Sequence, residues 1–302
     1  MNKILLTFPI TFFLFLLSLT SNAFAKTPIT NCTVISEPGE YYLANDIIDS
    51  NATACINITA DNVIFDCQGH TIDRIFAYIT SYGIYVYRDS PTTTNITIKN
   101  CILTDWYYGL YLYSSNYNTL TNIVANSNSP GIYLYNSNSN TITNITTNFN
   151  NGCGLYLENS NSNTLTNITA NSNVIGLCLF YSNSNTLTNI VANSNSYYGL
   201  YFDTSNYNTL TNIIADSNYH GLYLTYSDYN TLTNIVANSN SYYGLYFDTS
   251  NYNTLTNIIA DSNNRIGLYL YYSYSNTATN ITANNNNVGI GAYVVDLSLI
   301  HI

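Results

Sequence analysis

Between residues 83 and 291, apolar and polar side chains alternate in three short runs that recur every 22 or 23 residues after a first interval of 26. One period reads Gly131-Ile-Tyr-Leu-Tyr, then Asn140-Thr-Ile-Thr-Asn, then Ile145-Thr-Thr-Asn. A period of two sends successive side chains to opposite faces of an extended backbone, so each repeat predicts three short strands. Helical 3.6-residue spacing is absent, and Asn, Ser and Thr are weak helix formers. Two markers fix the phase independently. Glycine recurs at Gly83, Gly109, Gly131, Gly154, Gly176, Gly199, Gly221, Gly244, Gly267 and Gly289. Asn-Thr-(Leu/Ile)-Thr-Asn runs in step from Asn118, with Asn-Thr-Ala-Thr-Asn at Asn276. Gly and Asn tolerate the left-handed backbone of a sharp corner, so each period is read as one three-sided coil.

The inward columns follow from the alternation. Leu110, Ile132, Leu155, Leu177, Leu200, Leu222, Leu245 and Leu268 lie one residue past their glycines, and Leu112, Leu134, Leu157, Leu179, Phe202, Leu224, Phe247 and Leu270 lie three past. One coil cannot bury such a face, whereas stacked coils make a continuous core. The fold class expected is all-β, a single-chain parallel β-helix with ten glycine-phased coils. Two residues past the glycines, between the inward columns, lie Tyr85, Tyr111, Tyr133, Tyr156, Cys178, Tyr201, Tyr223, Tyr246 and Tyr269. They point outward and form a tyrosine row. Tyr107, Tyr108, Tyr197, Tyr198, Tyr242 and Tyr243 flank it at the preceding turns. Such a row suits contact with sugar faces, and it equally suits rings that simply stack on each other across strands.

The ends follow a different grammar. Lys3, the apolar run Ile4 to Leu19 and Ala23-Phe24-Ala25 describe a secretory signal peptide over residues 1–25, with no membrane span in the mature chain. Residues 26–80 read as an N-terminal cap with the first coils and 81–296 as the repeats. Leu297-Ser-Leu-Ile-His-Ile302 matches a translated sequencing adapter, so His301 is given no role and the natural chain is expected to continue past about Asp296.

Charge narrows the partners. Six Lys and Arg stand against 16 Asp and Glu, a net charge of −10. No Lys or Arg occurs between Asn100 and Asn264, so the basic clusters that nucleic acid requires are missing. Asn185 to Asn218 and Asn230 to Asn263 are identical over 34 positions, a copied two-coil block. A solenoid tolerates this because each coil contacts only its neighbours. Copying along a rod suits binding arrays and spacers better than a catalytic site.

The Gly-(Ile/Leu)-Tyr-Leu and Asn-Thr-(Leu/Ile)-Thr-Asn alternation resembles NosD-like right-handed parallel β-helix repeats, also grouped with carbohydrate-binding and sugar-hydrolase β-helices. Cys32 to Ile47 and Ala60 to Ile72 look like the opening of archaeal and bacterial surface proteins of that type. The resemblance spans about residues 30 to 291. It implies a secreted or cell-surface protein acting as an adhesin, glycan-binding or surface-layer spacer element, with glycans or cell-envelope polymers as partners. The alternatives are a polysaccharide lyase, hydrolase or epimerase of the pectate-lyase-like fold, and a NosD-like periplasmic accessory protein. For catalysis the one dense polar cluster is Asp61, Asp66, His70, Asp73 and Arg74, which turn geometry also explains. Copper favours His, Met and Cys, which are scarce and scattered here, so neither a metal nor another cofactor is expected. Export favours oxidised thiols, which suggests Cys32–Cys55 and Cys67–Cys101 as bridges without fixing the connectivity. Cys153 precedes its glycine and Cys178 lies two past its own, so these two need not meet and a free pair is equally open.

Overall fold

The computed structural model describes residues 26–75, 80–88 and 93–293, with the backbone of 299–301. The leader assigned to 1–25 lies outside the described residues, as do 294–298 and 302. Every regular element among the described residues is a strand, and every strand pair is parallel.

Two strands alternate along the chain. The glycine strand, such as Tyr198–Asp203, stacks with its counterparts into a 12-stranded sheet. Nine of its members contain a phasing glycine and a tenth, Ile132–Tyr135, begins just after Gly131, while Thr33–Ile35 and Ala54–Ile58 precede them. The asparagine strand, such as Thr209–Ile214, builds a second sheet of 15 strands. It covers two sides of the coil. Asn212 in its middle has φ 57°, and the strand pairing skips that position while Thr209 to Thr211 and Ile213 to Ile214 stay in register. The three predicted strands are therefore present, with the second and third joined through a left-handed corner. Backbone pairing continues to Leu299–His301, which lie beside Thr277–Thr279.

The inward columns read from the alternation are fully or almost fully buried. Leu210 and Ile213 with their equivalents line the other two sides, and Ala192, Ala215, Ala237 and Ala260 fill the narrow corner. Polar corners are buried too, and their backbone N–H groups are satisfied along the rod axis, although Nδ2 of Asn208 and of Asn230 has no partner among the described residues. The backbone N–H of Asn185 donates to Asn208 Oδ1 at 2.8 Å, that of Asn208 to Asn230 Oδ1 at 2.8 Å, and that of Asn230 to Asn253 Oδ1 at 2.7 Å. Asn195, Asn218 and Asn240 form a second such ladder, and Ser182, Ser205 and Ser227 a third. A corner N–H that cannot join a strand ladder thus gains an acceptor from the next coil, which is why one amide recurs once per turn.

The phasing glycines from Gly83 to Gly244 are demanded by the same stacking. A Cβ built on Gly199 would lie 2.6 Å from the carbonyl oxygen of Gly221 in the next coil, and one on Gly244 would lie 2.6 Å from that of Gly267.

Candidate functional site: the tyrosine face

The outward side of the glycine-strand sheet carries a column of tyrosines two past the glycines, with further aromatic rings in the columns on either side. Strand pairing skips the glycine, since Ile175 pairs with Tyr198 and Leu177 with Leu200. The alternation breaks there, and the residue before each glycine faces the same way as the residue two past it. Tyr82 and Tyr85 stack at 4.4 Å, Tyr108 and Tyr111 at 5.0 Å, and Tyr198 and Tyr201 at 5.0 Å. Strict alternation would have set each of these pairs on opposite faces. For the same reason Cys153 and Cys178 do meet. Their positions belong to these two adjoining columns, and they form a disulfide, which settles a pairing that their phases in the sequence left open. The bridges Cys32–Cys55 and Cys67–Cys101 form as suggested, and no described cysteine is free.

Along the axis the expected row stacks ring on ring. Tyr111, Tyr133 and Tyr156 follow at 4.8 and 4.7 Å, and Tyr201, Tyr223, Tyr246 and Tyr269 at 5.4, 4.7 and 5.3 Å. Cys178 interrupts the row, and Phe180 bridges it edge-on, 5.4 Å from Tyr156 and 5.2 Å from Tyr201. A third column, four past the glycines, was not singled out from the sequence. It contains Tyr87, Tyr113, Tyr135, Glu158, Phe180, Asp203, Asp248 and Tyr271, and simple alternation could have found it. Flanked on both sides, Tyr111 and Tyr133 retain only 9% and 8% exposure. Ring faces in the row are thus spent on one another, and what reaches solvent is the rim.

Carboxylates punctuate that rim. Tyr133 Oη donates to Glu158 Oε2 at 2.6 Å and Tyr223 Oη to Asp248 Oδ2 at 3.2 Å. Burial first, and neighbouring tyrosines second, push Tyr108 up to about 12. Burial and then Asp203 do the same for Tyr201, to about 12. Tyr111, Tyr133, Tyr156, Tyr223 and Tyr246 are raised further, chiefly by burial. All remain protonated donors at neutral pH, so the rim pairs phenol donors with carboxylate acceptors, the mixture that a polyhydroxylated ligand requires. His220, in the column before the glycines, is held neutral by burial, its value lowered to about 4.

The polar cluster near the N-terminus is divided among separate structural tasks. Asp61 accepts from Arg88 at 2.9 Å and from the Thr94 N–H, and Asp66 accepts from the Gln68 N–H and from Asn100. His70 contacts Asp46 at 2.9 Å, and Asp73 accepts from the Asp49 N–H and from Thr104. Asp105, which the sequence reading did not include, adjoins Asp73 and is raised by burial and by that neighbour. Arg74 lies over the buried Trp106 ring at 5.5 Å. Among the described residues no group of three or more His, Cys, Asp or Glu could hold a metal.

Residues 18–193 match the family described as "Periplasmic copper-binding protein (NosD)", and residues 176–302 match "Right handed beta helix region". A comparison with curated sequences finds no match. Among solved structures, the periplasmic alginate epimerase AlgG is similar with a TM-score of 0.61 and 15% identity, over 90% of this chain and 77% of its own. The enzymatically active domain of bacteriophage CBA120 tailspike protein 2 gives 0.63 and 14%, over 88% of this chain and 47% of its own. The A-module of the Azotobacter vinelandii mannuronan C-5 epimerase AlgE4 gives 0.55 and 11%, over 91% and 79%. At such identities the likeness concerns the fold alone.

Proposed function

For a chain that belongs to the NosD family, matched over more than half its length, we propose an exported, non-catalytic polysaccharide-binding rod that lays a glycan along its tyrosine face. The observation that carries this reading is the rim itself, where phenol donors recur at nearly every coil and carboxylate acceptors at every second coil from Glu158 to Asp248 along a parallel sheet. That periodicity suits a polymer better than a small molecule, and many weak contacts along a rod add as avidity. The similar folds of an alginate epimerase and of an enzymatically active tailspike domain are consistent with a polysaccharide partner. Three disulfides and a periplasmic family description fit export.

Copper does not fit these residues. Its usual donors are His, Met and thiolate, whereas every described cysteine is in a disulfide, His70 is engaged with Asp46, and His220 is ringed by tyrosines.

Glycan-array binding by the full chain tests the proposal, with Tyr201, Tyr223 and Tyr246 changed together to Phe. Phe keeps the stack and deletes the hydroxyls, so binding is expected to fall at least tenfold with little change in stability. Undiminished binding would exclude the face. New reducing ends or unsaturated products from any bound polysaccharide would replace the non-catalytic reading with an enzymatic one.

A further inference from the structure

The tyrosine face has one place where its chemistry changes. Arg265 is the sole Lys or Arg after Lys99. Its guanidinium lies over the Tyr242 ring at 4.4 Å and donates to Tyr242 Oη. It takes part in no ion pair among the described residues, although the chain is strongly acidic. Beside the same ring, at 5.3 Å, stands His220, which is only 6% exposed. Neither ring nitrogen of His220 has a hydrogen-bond partner among the described residues, and Nδ1 is sealed from solvent. Tyr243, at 5.1 Å, completes the floor between them. A buried imidazole with no partner is costly, and such groups mark places where a ligand or an ordered water belongs. In the neutral ring the sealed Nδ1 is better left as the lone pair, because an unmet buried N–H is the rarer and costlier defect; the proton then sits on Nε2, as a donor. The two copies of the duplicated block diverge immediately after Asn218 and Asn263, and it is there that His220 and Arg265 occur.

We propose that His220, Tyr243 and Arg265 form a subsite for a uronic-acid unit of a polysaccharide laid along the rod, with Arg265 taking the carboxylate and His220 Nε2 donating to a sugar oxygen. Arginine's planar fork matches a carboxylate in two parallel hydrogen bonds, and its stacking on Tyr242 holds it in place before binding. His220 and Arg265 lie two coils apart, roughly 10 Å at strand spacing, so they grip different groups of an extended chain. Asp203 and Asp248, on the far column of the same face, make that face electronegative, and Arg265 is the feature that makes an acidic unit acceptable there. The inference rests on the polysaccharide-binding reading above and specifies the sugar.

The test is isothermal titration of the full chain with hexagalacturonate and with a neutral galactose hexamer, alongside 15N NMR of the His220 ring. Arg265→Gln is expected to weaken hexagalacturonate about tenfold while leaving the neutral hexamer unchanged. His220→Phe, which preserves the ring packing, is expected to weaken hexagalacturonate by a similar factor, and the His220 Nε2 resonance is expected to shift when it binds. Wild-type affinity in Arg265→Gln, or a His220 signal unmoved at saturation, would overturn the subsite and leave a structural water as the histidine's partner. If the neutral hexamer still binds and loses affinity in the triple Tyr→Phe variant, only the subsite falls. If neither oligomer binds the wild type, the polysaccharide reading falls with it.

Discussion

Replacing Gly199 with Ala adds one methyl group where neighbouring coils approach closely. That Cβ would stand 2.6 Å from the Gly221 carbonyl oxygen and 2.9 Å from both the Ala192 carbonyl oxygen and the Ala215 Cβ. Two of the three obstacles are backbone, so no side chain can swing away. Relief requires the neighbouring coils to separate, and the parallel hydrogen bonds on either side then lengthen. Overpacking of this kind costs about 1–3 kcal/mol, and a backbone clash belongs at the upper end, near 3 kcal/mol. Gly152→Ala is the matched control, because its nearest obstacle is Ser129 Oγ at an ordinary 3.5 Å and its φ is not left-handed. Its effect is expected within about 0.5 kcal/mol of zero. Urea unfolding followed by circular dichroism measures the difference, and amide exchange locates it. Protection should be lost in the coils around Gly176 to Gly221 and kept in the N-terminal coils, since a solenoid transmits strain only to its neighbours. Gly244→Ala occupies the copied block and should cost the same. Equal stability of Gly199→Ala and Gly152→Ala would refute the argument that stacking demands these glycines.

Asn208→Ala removes the acceptor used by the Asn185 N–H at 2.8 Å and by Asn185 Nδ2 at 3.2 Å. A buried donor left unmet costs about 1–3 kcal/mol, so denaturation should show a loss of that size or more, and a loss below about 0.5 kcal/mol would contradict the ladder. Cys153→Ser with Cys178→Ser opens a loop of separation 25, worth about 3.5 kcal/mol in chain entropy, read as a lower urea midpoint under oxidising conditions. For Tyr108 and Tyr201 the folded value of about 12 exceeds the ordinary 10.0, so the stability they lend is complete below pH 10 and is lost as pH climbs towards 12. Tyrosinate absorbance should then rise together with unfolding; row tyrosines that ionise at pH 10 in the folded rod would disprove their burial. His220 has the opposite sign: its folded value of about 4 lies below 6.5, so its contribution is present above pH 6.5 and disappears as pH falls towards 4. An NMR titration placing its midpoint near 6.5 would contradict the enclosure.

Much of this rod was legible in the order of its residues. The 22-to-23-residue period, the glycine phase and the leucine columns depend on local alternation, and a repeat that stacks on itself turns local pattern directly into global structure. Three things required the assembled coil. The skip at each glycine, beside the close approach of the next coil's carbonyl, places residues three apart on one face; it decides that Cys153 and Cys178 meet, which alternation alone left open. Corner residues such as Asn208 and Ser205 look like ordinary turn formers in sequence, and only stacking shows each receiving its neighbour's backbone N–H. The tyrosine row was visible as a column, but its sealing was not, because burial of an outward ring depends on the columns at either side. The same enclosure leaves His220 without a partner beside Arg265, 45 residues away in the chain and two coils away in space. Sequence order determines what each coil presents; the distance between coils, set by backbone hydrogen bonding, determines which of those groups touch.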